Sequence, residues 1–299
     1  MRTHIERLLA EFVNRESEMA RFCDMLDDSS VCVFAVWGGG GVGKSSLMAK
    51  MIHEVANRRL QKSEVTWTET RNHDFLAIMR KMRDDFGPQH FARFTDLVNF
   101  FTVPQYELKV TLEGAGKISV AEGATIEAGA QVGDIAGVII KDATLTEPRS
   151  DMQVSTGERR ARLTDAFVEG MATALGERSS AVFFDAAEKM TEETEDWVWR
   201  ELLPAACEGR LGRVKFVLSG RRKPAVDRLW RNVIEVAELR PLEAKHVLSY
   251  LGRRGVSADD RAALADMLLV VTGGNMLELA THVDAYLKLQ DRRQRESVE

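Results

Sequence analysis

Val31-Cys32-Val33-Phe34-Ala35-Val36-Trp37 runs directly into Gly38-Gly39-Gly40-Gly41-Val42-Gly43-Lys44-Ser45-Ser46. A continuous apolar run of this length is how a strand buried on both faces reads. Two glycines five apart, followed by a lysine and a hydroxyl residue, form the pattern of a phosphate-binding loop. Glycines let successive backbone N–H groups turn inward as an anion-binding nest, and the N-terminus of the next helix adds a partial positive charge. In that reading Gly38, Gly39, Gly40, Gly41, Val42 and Gly43 form the cradle and Lys44 reaches the β- and γ-phosphates of a nucleotide. Ser45 ligates Mg²⁺, and Ser46 adds a hydrogen bond to the α-phosphate. Helical spacing follows at once through Leu47, Met48, Met51, Ile52 and Val55.

Outward from this strand, loop and helix, the pattern repeats. Val65 to Thr68 reads as a second strand and Phe75 to Phe86 as a helix closed by Gly87 and Pro88. Ala181 to Phe184 is another apolar strand, Thr191 to Ala206 a helix interrupted late by Pro204, and Val214 to Leu218 and Val233 to Val236 further strands. Strands alternating with helices imply a mostly parallel sheet covered on both faces. Ile5 to Leu26 suggests two short helices. From Leu239 the chain reads all-helical, over Leu242 to Gly252, Ala258 to Val271 and Met276 to Leu289, with a polar end from Gln290 expected to fray. Between about 103 and 150 the texture is Val, Ile, Thr, Gly and Ala, with Val120, Ile126, Val132 and Val138 six residues apart. Antiparallel hairpins with glycine turns are preferred there over a parallel β-helix, which needs more turns than the segment supplies.

The expected fold is therefore α/β: a P-loop NTPase parallel sheet covered by helices on both faces, with a β-rich insertion and a C-terminal helical lid domain. Its expected divisions are an N-terminal helical segment at 1–30, the NTPase domain at 31–236 with the insertion at 103–150, and the lid at 237–299.

With 299 residues, 44% of them hydrophobic and 29% charged, the chain matches ordinary globular usage, which excludes a disordered tail or a fibrous repeat. A net charge of -5 argues against a surface built throughout to neutralise phosphate backbones and leaves a local basic patch open. The apolar run from Val31 to Trp37 falls far short of the roughly 20 residues of a membrane span. Residues 1–12 lack the uninterrupted apolar core of a secretory signal, so a cytoplasmic location is expected. Cys23, Cys32 and Cys207 form no pair at metal-ligand spacing and read as reduced, structural thiols.

Asp185, ending an apolar strand, has the form of the acid that holds Mg²⁺, and Glu188, three residues on, that of a base for an attacking water. Arg221 and Arg222 leave the next strand at the edge where ligands of open α/β sheets bind, and Arg221 is the preferred partner of a γ-phosphate. A solvated glutamate and a solvated basic turn stand as the plainer readings of Glu188 and of the arginines.

These residues together resemble the signal-transducing ATPases with numerous domains, the NACHT and NB-ARC-like STAND branch of AAA-like P-loop ATPases. Phe12-Val13-Asn14-Arg15-Glu16 with Glu18 is similar to the hydrophobic-hydrophobic-Gly-Arg-Glu motif that contacts adenine in that family, with Asn14 in place of glycine. The phosphate loop and the aspartate strand with its trailing acid match as well. Leu239-Arg240-Pro241-Leu242 resembles the strand-to-lid junction, and Gly273-Gly274-Asn275-Met276 resembles the Gly-x-Pro lid motif, with Met276 where the nucleotide-contacting proline stands. The resemblance implies that Phe12, Val13, Arg15, Pro241 and Met276 lie on the nucleotide.

The favoured reading is a Mg-ATP-binding, slowly hydrolysing switch with ATP/ADP and Mg²⁺ as its ligands, a homo-oligomer on ATP binding and a protein partner. An AAA-type motor or loader acting on nucleic acid is the alternative, left open and not favoured. A nucleotide-binding scaffold without turnover is the third reading. No Asn-Lys-x-Asp run, the usual guanine reader of GTPases, is present, which favours ATP over GTP.

Overall fold

The computed structural model describes residues 12–27, 30–67, 74–102, 107–110, 143–146, 155–226, 228 and 230–296. Two compact units form, one from residues 1–94 with 164–299 and the other from 95–163. The larger unit is built on a sheet of five strands: β1 (Val33–Trp37), β2 (Gln61–Thr66), β5 (Ser180–Asp185), β6 (Val214–Gly220) and β7 (Ile234–Glu238). All pair in parallel, in the order β2-β5-β6-β1-β7. In register, Trp37 stands opposite Gly220 and Glu238, and Thr66 opposite Asp185, so the strands finish along one common edge.

Helix α1 (Glu16–Asp27), α2 (Lys44–Asn57), α3 (Phe75–Phe86) and the later turns of α5 (Thr156–Leu175) belong to the same unit. Phe22 of α1, Phe34 and Val36 of β1, Met48 and Met51 of α2 and Phe183 of β5 form one buried cluster. Phe22 meets Phe34 edge-on at 6.3 Å between ring centres, the arrangement the aromatic quadrupole prefers. The same unit ends in α8 (Ala244–Arg253), α9 (Ala258–Thr272) and α10 (Met276–Glu296), which bury a second cluster around Val247, Tyr250, Leu251, Leu268, Leu279 and Val283. The smaller unit contains most of α4 (Ala92–Thr102), the start of α5 and an antiparallel pair, β3 (Glu107–Val110) with β4 (Ala143–Thr146). The six-residue period of Val120 to Val138 lies outside the described residues.

Four local expectations change. The second strand begins at Gln61 rather than Val65: β2 is an outer strand with one side unpaired, so it carries Gln61, Lys62 and Glu64 and buries only Ser63 and Val65. Pro204 does not break its helix. The chain runs from α6 (Glu192–Trp197) through a π turn (Val198–Leu202) into α7 (Leu203–Cys207), where proline sits in a first turn that asks for no N–H. Residues Gln290 to Glu296 continue α10 instead of fraying, with Arg293 and Arg295 complementing the negative end of the helix dipole. Of the two helices expected in Ile5 to Leu26, α1 is described and starts at Glu16, because Glu16 and Glu18 suit the positive first turn; residues 1–11 lie outside the described residues.

Gly274, between α9 and α10, is tied to the segment that leads from β7 into α8. Its carbonyl accepts the Leu242 amide at 2.8 Å, its φ is +79°, and a Cβ there would lie 2.1 Å from the Leu242 carbonyl oxygen. Neither backbone can yield. Gly274→Ala is expected to lower the unfolding free energy by about 1–3 kcal/mol, read as a lower urea midpoint of the purified chain.

Candidate functional site

A phosphate cradle is made of backbone N–H groups, and the carbonyls on the far side of the same peptides need donors of their own. Each carbonyl from Gly38 to Gly43 has one. Lys44 Nζ donates to Gly38 O at 2.9 Å and to Gly39 O at 2.8 Å. Asn275 Nδ2 donates to Gly40 O at 2.8 Å, and the Leu277 amide to Gly41 O at 3.0 Å. Arg15 Nη2 donates to Val42 O at 3.1 Å, and the Leu47 amide to Gly43 O at 3.0 Å as the first bond of α2. The Gly38 amide itself donates to Gly220 O at 3.3 Å; with the carbonyls of the loop satisfied, the amides that follow are the groups a nest would offer an anion. Glycine is required at Gly41, whose φ is +76° and whose added Cβ would fall 2.3 Å from Asn275 Oδ1.

Arg15 is the deepest of the side-chain donors, 7% exposed, and its Nη2 also donates to Arg240 O at 2.6 Å. Burial pushes its guanidinium below the usual arginine range while Glu18 and Glu16 pull it back. The turn before it is left-handed at Asn14, φ 52°, a conformation asparagine tolerates better than other residues with a side chain. Phe12 packs on the sheet cluster, Val13 is buried in the cluster of α8, α9 and α10, and Arg253 donates to the Phe12 carbonyl. Pro241 is exposed between buried Leu239 and Leu242. Met276 opens α10, with its side chain about 4 Å (3.9 Å) from where a Cβ on Gly43 would be.

Asp185 ends β5 beside the loop. Its Oδ2 is 3.4 Å from the hydroxyl of exposed Ser45, and its Oδ1 accepts the Ala186 amide at 3.0 Å and the Ser219 hydroxyl. Ala186 itself is left-handed, φ 59° and ψ 42°, a costly backbone for alanine that turns the chain into a short 3₁₀ segment carrying Glu188. Glu188 accepts the Arg221 amide at 3.2 Å through Oε2, and its Oε1 pairs with Arg221 Nε, also at 3.2 Å. The Arg221 guanidinium lies against Gly40, where an added Cβ would be 3.9 Å from Cζ. Burial lowers the Lys44 ammonium from its usual range; Glu188 opposes that, Arg221 adds to it and Asp185 opposes it. Lys44, Asp185, Glu188 and Arg221 thus share one electrostatic environment. Arg222 is exposed and takes no part in the Glu188 pair.

The arrangement suits a polyphosphate with a hard divalent cation: amides, a lysine and an arginine for the anion, a serine hydroxyl and a carboxylate for the metal. Mg²⁺ characteristically takes one or two protein oxygens and the rest from phosphate and water. Among the described residues no group of three His, Cys, Asp or Glu side chains could hold a metal by itself. Sequence reading missed Asn275 and Ser219. Asn275 carried a signal, since an asparagine directly before a periodic helix is an N-cap, and its Oδ1 accepts the Leu277 amide at 3.1 Å and the Glu278 amide at 3.4 Å. Ser219 carried none, because its role depends on β6 lying beside β5.

No protein family and no curated protein matches the chain. Solved structures do. Cdc6p from Pyrobaculum aerophilum aligns over 95% of this chain and 63% of its own at 13% identity, with a TM-score of 0.53. The Drosophila ORC bound to DNA aligns over 92% of this chain and 60% of its own at 12% identity, with a TM-score of 0.51. The chain therefore spans less than two thirds of the length of these structures and shares their fold, a parallel α/β sheet flanked by helices with a helical C-terminal region. No helix among the described residues is long and apolar enough to cross a membrane.

Removing Arg15 would strand two carbonyls in a buried setting. Arg15→Ala is expected to cost about 2–4 kcal/mol in chemical denaturation of the unliganded chain, and Arg15→Lys, which lacks the planar fork, to recover less than half of that.

Proposed function

We propose that this chain is an ATPase whose nucleotide sits against the glycine loop at the common edge of the sheet and beside the start of α10. The observation that carries this reading is the convergence of Lys44, Ser45, Asp185, Glu188 and Arg221 on that edge, with Asn275 and the Leu277 amide bound to the same loop. Gly38 to Gly43, Lys44 and Ser46 bind phosphate. Ser45 and Asp185 would hold Mg²⁺, which supplies charge neutralisation of the phosphates when bound. Glu188 orients and deprotonates the attacking water, and Arg221 stabilises charge developing on the γ-phosphate. Glu188 and Arg221 pair with one another, so in this reading both roles require that pair to open. Phe12, Val13, Arg15, Pro241 and Met276 form the base side of the site. In this reading 31–236 is the NTPase domain with its insertion at 103–150, 1–30 the adenine-side segment and 237–299 the lid.

For what the nucleotide state controls, action on nucleic acid is the better supported reading. One of the similar structures is of a complex bound to DNA. In this chain Arg222, Lys223, Arg228 and Arg231 are exposed in the segment after β6. The second reading, a signal-transducing switch of STAND type that forms a homo-oligomer on ATP binding and engages a protein partner, is favoured by the left-handed Asn14 and the buried Arg15 that follows it. A cytoplasmic location suits either.

Lys44→Met is expected to abolish Mg-ATP binding in calorimetry and to cost about 1–2 kcal/mol of stability, less than Arg15→Ala, because the Gly38 and Gly39 carbonyls lose their donor but the Gly39 bond is exposed and water can replace it. Glu188→Gln should keep binding and lower turnover by about 10²-fold or more. Duplex DNA binding measured by anisotropy at several salt concentrations decides between the two targets. A steep loss of affinity with salt, reduced in Arg222→Ala/Lys223→Ala, supports action on nucleic acid. No binding together with ATP-dependent growth in mass by light scattering supports the switch.

A further inference from the structure

Trp199 and Trp230 meet edge to face, with 5.5 Å between ring centres and 87° between ring planes, and both are half-buried. They come from the π turn between α6 and α7 and from the turn just ahead of β7. Residues 221–231, which lead from β6 toward β7, hold five basic side chains against one acid, Asp227, in a chain whose net charge is -5. We propose that the Trp199–Trp230 pair, flanked by Arg228 and Arg231, is a docking surface for single-stranded DNA, with unpaired bases stacked on the indoles and phosphates held by the arginines. This rests on the nucleic-acid reading above and adds to it the form of the nucleic acid and the place where it binds.

Local structure holds the two rings in place. Trp197, at the end of α6, is fully buried, and its Nε1 donates to Thr164 Oγ1 at 3.1 Å. Two positions on, Trp199 leaves the other side of the helix from within the π turn Val198–Leu202, a local widening that recurs at functional sites. Trp230 is fixed through its backbone: its carbonyl accepts the Val233 amide at 3.1 Å and the Ile234 amide at 3.0 Å. The edge-to-face arrangement is one the aromatic quadrupole prefers, and it leaves ring faces clear of the partner ring. Trp67 and Trp197 are among the largest fully buried side chains, whereas Trp199 and Trp230 keep part of their surface in solvent.

The charges select the ligand. Arg228, two residues before Trp230, and Arg231, directly after it, are exposed, as are Arg222 and Lys223 nearer β6. On the Trp199 side, Arg200 is held by Asp196 at 2.8 Å, and Glu193 and Glu195 are exposed on α6, so phosphate contacts fall to the segment that carries Trp230. Binding of single strands without regard to sequence combines basic groups along the backbone with aromatic side chains on which bases stack. In a duplex the base faces are already stacked on one another, so a duplex would use the arginines and not the indoles. An apolar protein segment would use the indoles and gain nothing from the arginines.

The test is fluorescence anisotropy of the full chain with labelled oligo(dT) and oligo(rU) of about 30 nucleotides and a duplex of the same length, across salt concentrations around 0.2 M. Oligo(dT) is expected to bind more tightly than the duplex and at least as tightly as oligo(rU). Trp199→Ala and Trp230→Ala should each weaken oligo(dT) by about 5-fold or more, with the salt slope and duplex binding unchanged. Trp230→Phe, which keeps an aromatic face, should retain most of the affinity. Arg228→Ala/Arg231→Ala should instead reduce the salt slope by about 1. Ultraviolet crosslinking of iodouracil-substituted oligo(dT) to the unaltered chain needs no variant, and its adducts should map to Trp199 or Trp230. Adducts only elsewhere, tighter binding of oligo(rU), or duplex binding that equals that of oligo(dT) and ignores both tryptophans would overturn this inference and leave action on nucleic acid standing. No binding to any of the three would remove both.

Discussion

The carbonyls of the glycine loop decide how this molecule is put together. Peptide N–H groups can be gathered around an anion only if the carbonyls behind them are satisfied, and an unsatisfied carbonyl in a partly buried loop costs as much as the cradle would gain. The chain satisfies Gly40, Gly41 and Val42 from far away in sequence, through Asn275, the Leu277 amide and Arg15. The loop that would receive phosphate is therefore held in shape by the start of α10 and by the segment ahead of α1. Loop, N-terminal turn and C-terminal helices are one structural unit at that point.

In the proposed reading, nucleotide and helix position would be linked. A ligand shifts a conformational equilibrium only through differential contacts with the two states. The contacts would lie on the two faces of the same peptides, phosphate on the amide side and α10 on the carbonyl side, where Asn275 and the Leu277 amide bind Gly40 and Gly41. The acid side adds a second element: Glu188 is paired with Arg221, while Asp185 is fixed by Ser219 and its own neighbour's amide. In the proposed reading the carboxylate for the metal is preorganised, whereas the base and its arginine part before turnover. Such an arrangement suits slow turnover governed by conformation more than by chemistry.

Much of this was legible in the residues. The run Val33–Trp37 and the glycines after it announced a buried strand, a loop and a helix because each is decided by local chemistry, and Phe75–Phe86 with Gly87 did likewise. What stayed hidden depends on strand order and on long-range contact. β2 was read too short because an outer strand need not be apolar, and Pro204 was read as a break because a π turn ahead of it has no sequence mark. Ser219 as the partner of Asp185 follows from the neighbour that β6 happens to have in space. Asn275 was within reach as an N-cap; its second bond, to Gly40, was not.

The central claim is that the glycine loop and the start of α10 respond to nucleotide as one unit. Hydrogen exchange of backbone amides, with and without a non-hydrolysable Mg-ATP analogue, tests this most directly. The account predicts that exchange slows together at 39–46 and at 275–279, far from each other in sequence. Slowing confined to 39–46, with 275–279 unchanged, would contradict it.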